Sequence, residues 1–405
     1  MTLRGMTARR VVTCDPERKG LLGVIEDGVV AVDGARIVYV GPRIDTPDGI
    51  DVVDLGDRVI TPGLVDAHTH ACWVGSRHAE YSLRMASGDY RALSRAGSGI
   101  LATQRSVASA TEDELADALS ARLRRMASLG VTTVEVKSGY GLEAAVERKQ
   151  LAAMARMAER ADLPAVVATF LALHAIPDGA RTNRAAYIHG VARDLVPDVA
   201  RQRLARFVDV YVDADAFAVD EAREVGEAAR AAGLGVRMHV GQFMDVGGAE
   251  LAASLGAASA DHLEHISQAG IDALAAGGVA AVLLPVASFT LAQAPPPARA
   301  LRAAGVSIVV ASDANPGTAP TESLPLALAL AVRNYGLSPE EALLAATRSA
   351  AKALGLADRG VLRVGARADV VVWDLPHEQA IAQPWGVAKT HIVMIGGREI
   401  STHPA

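Results

Sequence analysis

The stretch ITPGLVDAHTH, residues 60–70, decides how the chain is read. An apolar run of β-branched residues breaks into two histidines one residue apart, as a buried parallel strand would if it ended at a functional rim. Working outward, seven further runs have the same character. They are TTVEVKSGYG (132–141), AVVATFLALHA (165–175), FVDVYVDADAF (207–217), GVRMHVGQ (235–242), ASADHLEH (258–265), VAAVLLPVA (279–287) and SIVVASDAN (307–315). Stretches of helical spacing such as ELADALSARLRRMASLG and VDEAREVGEAARAAG lie between them, each closed by a glycine. Eight β/α units predict an α/β fold of the closed (β/α)8 kind, a TIM barrel. The rival, a doubly wound open sheet, lacks its Gly-rich dinucleotide fingerprint after the first strand.

Both ends of the chain read differently. Residues 1–60 hold short Val/Ile-rich strands broken by Asp-Gly and Gly-Pro, and GVLRVGARADVVVWDL and THIVMIGGREI after residue 361 look alike. The expected layout is a small composite β-sandwich from 1–60 plus 361–405 beside a barrel spanning 61–360. The long segment 71–131, with its loop SRAGSGILATQRS, is expected to cover the mouth of the barrel.

Composition sets the outer limits. The chain has 405 residues, half of them hydrophobic and 4% aromatic, which is enough apolar material for a large core and excludes a disordered chain. Forty basic and 46 acidic residues leave a net charge of −6 with no basic tract, so nucleic acid is not expected as a partner. Two cysteines, Cys14 and Cys72, fit a reducing compartment. The N-terminus lacks an apolar signal core, and the longest apolar stretch is short and contains Pro285, so a cytoplasmic protein without a membrane partner is expected.

Polar residues gather where the strand runs end. His68 and His70, at i and i+2, share one face of a strand and can reach one ion. His239 ends the fifth run, His262 the sixth and Asp313 the eighth. Three imidazoles and one carboxylate on a common rim suit one divalent metal, Zn2+ or iron, which would lower the pKa of its water to about 7. A second metal is not expected. The fourth run offers Asp213 and Asp215 but no lysine to bridge, and Lys137 on the second is expected in an ion pair.

The pairing of PGLVDAHTH with SDANPGT resembles the amidohydrolase superfamily of metal-dependent hydrolases. Within it, HTHACWVGSRHAEYSLRMASGDY, TTVEVKSGYGL, TFLALHAIP, HVGQF, SADHLEHIS and VLLPVASF resemble the imidazolonepropionase family, over about residues 20–400. The resemblance implies a distorted (β/α)8 barrel with a terminal β-sandwich. The implied activity is hydrolysis of the cyclic amide of 4-imidazolone-5-propanoate to N-formimidoyl-L-glutamate, in histidine degradation. It also implies a homodimer. His68, His70, His239 and Asp313 match the family's metal ligands, and His262 the histidine that polarises the scissile carbonyl. Arg77 matches the arginine gripping the propionate. Tyr90, Tyr140 and His174 match contacts to ring and carboxylate, and Asn315, Gly317 and Thr318 the loop lining the pocket.

Two departures stand out. Position 241, where the family carries an acidic residue, is glycine, so Gln242 stands alone on the fifth run and general-base duty falls to Asp313 with His262. Asp213 also replaces the usual glutamate. Other readings are a heterocyclic-base deaminase or an N-acyl amino acid hydrolase, which would share the ligands and differ in the pocket at Arg77, Tyr90 and Tyr140. A barrel kept only for binding would be expected to lose ligands, and all four are present.

Overall fold

The computed structural model describes residues 3–87 and 99–400. The amino-terminal strands β1 (Leu3–Val12), β2 (Val24–Asp33), β3 (Arg36–Pro42), β4 (Ile50–Asp54) and β5 (Val59–Pro62) join three strands from the other end. These are β14 (Val370–Trp373), β15 (Thr390–Ile395) and β16 (Arg398–Ile400). The expected sandwich takes the form of one continuous mixed sheet, ordered β16-β15-β14-β5-β1-β2-β3. One edge of β1 is shared between β4, along Leu3–Thr7, and β5, at Arg10–Val11. Its buried side chains, among them Met6, Val30, Ile60 and Val372, form a cluster separate from the main core.

Eight parallel strands build the second sheet in strict chain order. They are β6 (Leu64–Asp66), β7 (Val131–Lys137), β8 (Ala165–Leu173), β9 (Phe207–Val212), β10 (Gly235–Val240), β11 (Ser259–His262), β12 (Ala280–Leu283) and β13 (Ile308–Val310). Seven fall within predicted runs, and β7 starts one residue ahead of its run, at Val131. All seven residues of β7 are buried, as expected for a strand covered on both faces. The helix Glu112–Ser128 shows how the outer layer is set. Thr111 and Glu114 form a reciprocal cap, and Leu115, Leu119, Leu123 and Met126 bury one stripe against the barrel.

Closure between β13 and β6 is where the barrel is distorted. No strand ladder joins them; instead Asp66 accepts the Ser312 backbone N–H at 3.0 Å and its hydroxyl at 2.5 Å. Just beyond, Asp313 N–H donates to the His68 carbonyl and His70 N–H to that of Ala314, both at 3.0 Å. The seam that closes the barrel therefore brings His68, His70 and Asp313 together. Among the described residues, no helix is long and apolar enough to cross a membrane.

Candidate active site

The strand ends deliver three imidazoles to one point. The donor atoms of His68, His70 and His239 lie within 4.8 Å of one another, and all three residues are buried. His239 Nε2 is 3.3 Å from His70 Nε2, while Asp313 Oδ1 stands 3.4 Å from His68 Nε2 and 3.5 Å from His70 Nε2. Among the described residues, neither His68 Nε2 nor Asp313 Oδ1 has a hydrogen-bond partner. Burial holds the three imidazoles well below their ordinary pKa, so they are neutral at pH 7. Burial also pushes the Asp313 carboxyl up to about 7. Donor atoms crowded this closely are what a divalent cation would satisfy, so these residues fit a metal.

The far nitrogens fix this arrangement. His68 Nδ1 meets Asp261 Oδ2 at 2.6 Å and His239 Nδ1 meets Asp209 Oδ1 at 3.0 Å, so each ring carries its proton outward and turns a lone pair inward. Behind them lies a fully buried charge cluster. Lys137 Nζ donates to Glu135 at 2.9 Å and Asp209 at 2.8 Å. Arg237 donates to Asp261 at 3.1 Å and to the Ala67 carbonyl at 2.7 Å. The ion pair expected of Lys137 is thus present, within a larger network. Asp209, Asp261, Glu135 and Arg237 went unremarked in the sequence. Their signal was a charge inside an otherwise apolar strand run, which must be paired when buried.

A cavity of about 530 Å3 opens above the imidazoles, and His70, His239, His262 and Asp313 reach it from below. Arg77, Tyr140, His174, Gln242, Asn315 and Thr318 also line it. Tyr90 lies outside the described residues. Arg77 is buried and gives its Nε to Glu80 at 3.0 Å and its Nη2 to the second oxygen, while Glu80 also accepts the Gly99 N–H at 2.7 Å. Gly317 packs against that guanidinium, and a Cβ there would collide with it. The Asn315 carboxamide shapes the loop, accepting N–H bonds from Gly317 and Thr318 at 2.8 and 2.7 Å. His174 stacks on His70 and bonds through Nδ1 to the Gly139 carbonyl at 2.8 Å; burial lowers its pKa to about 4, so the ring is neutral and Nδ1 is the donor.

Gly241 answers the departure seen in the sequence. Its φ of +64° is left-handed, and a Cβ there would face the 265–266 backbone. It is not among the residues lining the cavity, whereas Gln242 is, with Oε1 accepting the Tyr211 hydroxyl at 2.9 Å. Asp213 is occupied elsewhere, accepting the Ala214 and Phe243 N–H groups at 2.8 Å and so bracing the loop after β10. His262 sits at φ +82° and Leu263 at φ +73°, two successive non-glycine residues in a sparsely populated region.

A barrel with this donor set at its mouth fits the class of metal-dependent hydrolases. The chain belongs to the amidohydrolase family, whose sequence model matches residues 59–400. Imidazolonepropionase of Caulobacter vibrioides (strain NA1000 / CB15N) is 42% identical over 386 residues, covering 94% of this chain and 96% of that protein. The Myxococcus xanthus (strain DK1622) imidazolonepropionase is 42% identical over 376 residues, 91% of this chain and 89% of the relative. Within the amidohydrolases, the chain therefore belongs with the imidazolonepropionases. Two solved structures share the fold. A triazine hydrolase from Arthobacter aurescens has a TM-score of 0.73 at 17% identity, over 100% of this chain and 96% of that one. A prolidase complexed with n-methylphosphonate-l-proline has a TM-score of 0.68 at 19% identity, over 98% and 99%.

Proposed function

We propose that this chain hydrolyses the cyclic amide of 4-imidazolone-5-propanoate to N-formimidoyl-L-glutamate, a step of histidine degradation. Relatives named imidazolonepropionase at 42% identity support the reading. The observation that carries it is the convergence of His68, His70, His239 and Asp313 below a cavity walled by a buried arginine. These four residues would hold one divalent ion, zinc or iron. When bound, that ion supplies Lewis-acid activation of a water molecule.

The rest is the work of side chains. Asp313 takes the water's proton as its oxygen adds to the ring carbonyl carbon, and returns it to the ring nitrogen as the C–N bond breaks. His262 donates to the carbonyl oxygen while negative charge grows there. Arg77 grips the propionate and so turns one carbonyl toward the reacting water. Gln242 bonds the ring, Tyr90, Tyr140 and His174 complete the contacts to ring and carboxylate, and Asn315, Gly317 and Thr318 shape the pocket wall.

Two free buried thiols favour the cytoplasm, and family resemblance favours a homodimer. We divide the chain into a terminal sheet domain, 1–60 plus 361–405, and a barrel domain, 61–360. The test is ring opening with freshly made imidazolone propionate, followed by loss of ultraviolet absorbance. The expected product is formiminoglutamate, with activity lost to a chelator and restored by zinc or iron. Metal-loaded protein that leaves the ring intact, or that releases ammonia instead, overturns the assignment.

A further inference from the structure

Behind His262, on the side away from the cavity, a line of buried polar groups runs through three β/α units. Glu264, two residues on, presents Oε2 to His262 Nδ1 at 3.8 Å. Its other oxygen, Oε1, accepts the Ser288 hydroxyl at 2.6 Å. Ser288 Oγ is in turn 2.6 Å from the hydroxyl of Tyr335, the last residue of the helix Leu324–Tyr335. All four side chains are buried, and Glu264 does not line the cavity.

Two observations point from this line to His262. First, among the described residues His262 Nδ1 and Glu264 Oε2 are each buried without a hydrogen-bond partner. The two atoms lie 3.8 Å apart, and an unpaired buried donor or acceptor costs about 1–3 kcal/mol. Second, the backbone between them takes positive φ at both His262 and Leu263, a strained path that folds Glu264 back under the imidazole. Such strain persists where the surroundings enforce it, and the Ser288–Tyr335 brace does so from one side.

We propose that Glu264 is the positioning residue of His262: its carboxylate accepts a hydrogen bond from Nδ1–H of a ring protonated at both nitrogens, which aims Nε2–H at the reacting carbonyl, and it is itself locked by Ser288 and Tyr335. This rests on the ring-opening reading, in which His262 donates to the carbonyl oxygen. Glu264 touches no substrate and acts only through the imidazole, so its loss affects the step in which charge develops more than substrate capture.

The experiment compares Glu264→Ala, Glu264→Gln and Tyr335→Phe with wild type in the zinc-loaded protein. Steady-state kinetics on imidazolone propionate, metal content and the 15N signals of the His262 imidazole, assigned by difference against His262→Gln, are measured together. Glu264→Ala is expected to lower kcat about 10- to 100-fold while KM stays within about two-fold. Its His262 should also lose the Nδ1-protonated signature. Glu264→Gln, which can still accept from Nδ1, should recover part of kcat and the signature, and Tyr335→Phe should fall between Glu264→Gln and wild type. Unchanged kcat and tautomer in a folded, zinc-loaded Glu264→Ala protein overturns the proposal alone. A loss traced wholly to missing metal or an unfolded chain, with Glu264→Gln no better, also overturns it. An inactive wild type whose His262 signals ignore Glu264 overturns both this and the ring-opening reading.

Discussion

In the proposed reaction Asp313 must hold a cation and also carry a proton, and its surroundings suit both. Its Oδ1 stands 3.4 and 3.5 Å from the neutral imidazoles of His68 and His70, and its own backbone is left-handed at φ +55°. Asn, of equal size, keeps an oxygen for the ion and removes the base. Asp313→Asn is therefore expected to lose about 10²- to 10⁴-fold in kcat with metal content unchanged, measured by ring opening and elemental analysis. Arg77 offers a different test, because its guanidinium fills the space that a Cβ at Gly317 would take. Gly317→Ala must displace the guanidinium and should raise KM with kcat less affected, in the same sense as Arg77→Ala. Loss of a charge-assisted hydrogen-bonded pair predicts about a 10- to 100-fold rise for Arg77→Ala. An unchanged KM in both would argue that the arginine does not meet the substrate carboxylate.

At the scale of elements, the barrel strands carry charge where apolar residues are the rule. Glu135 and Lys137 on β7, Asp209 on β9, Arg237 on β10 and Asp261 on β11 are all fully buried. Their cost is offset because each cation lies between carboxylates and two of those carboxylates orient imidazoles. Burial lowers the Lys137 pKa, but Asp209 and Glu135 outweigh it, so the ammonium is retained. Lys137→Met leaves buried carboxylates uncompensated. It is expected to cost about 3–5 kcal/mol of stability and to weaken metal binding about 10- to 100-fold. Denaturant unfolding and chelator competition measure the two effects. Lost stability with unaltered metal affinity would show that the cluster holds the barrel and not the ligands.

For the whole molecule, the cluster of buried neutral histidines sets the response to acid. A histidine whose folded pKa is depressed binds its proton more readily in the unfolded chain. It therefore contributes stability above pH 6.5 that is lost as pH falls through the folded value. For His174, depressed to about 4, the window runs from about 6.5 down to about 4 and is worth about 3 kcal/mol at 1.4 kcal/mol per unit. His68, His70 and His239 act in the same direction. Unfolding free energy measured at pH 7 and pH 4.5 should fall markedly in wild type and by less in His174→Gln. An equal fall in both would mean that His174 is charged in the folded state.

The eight barrel strands were readable one by one because each is a short apolar run ending in polar residues, and local pattern alone sets that. His68 and His70 were readable as a pair because alternation along a strand is a local property. The terminal strands announced themselves through turns, yet their joining into one sheet was an expectation from the nearness of chain ends. Tertiary structure decided everything that lies across the barrel. That Asp261 holds His68 and Asp209 holds His239, that Asp66 closes the seam, and that Ser288 and Tyr335 stand behind Glu264 all join residues whose sequence separation says nothing of their nearness. Gly241 shows the same limit at one position: its departure from the family pattern was plain in sequence, but the direction a side chain would take there depends on backbone torsion and on the turn packed against it. Hydrophobic period and turn chemistry are written along the chain, whereas the partner of a buried charge is set by strand register and barrel closure, which only the folded molecule fixes.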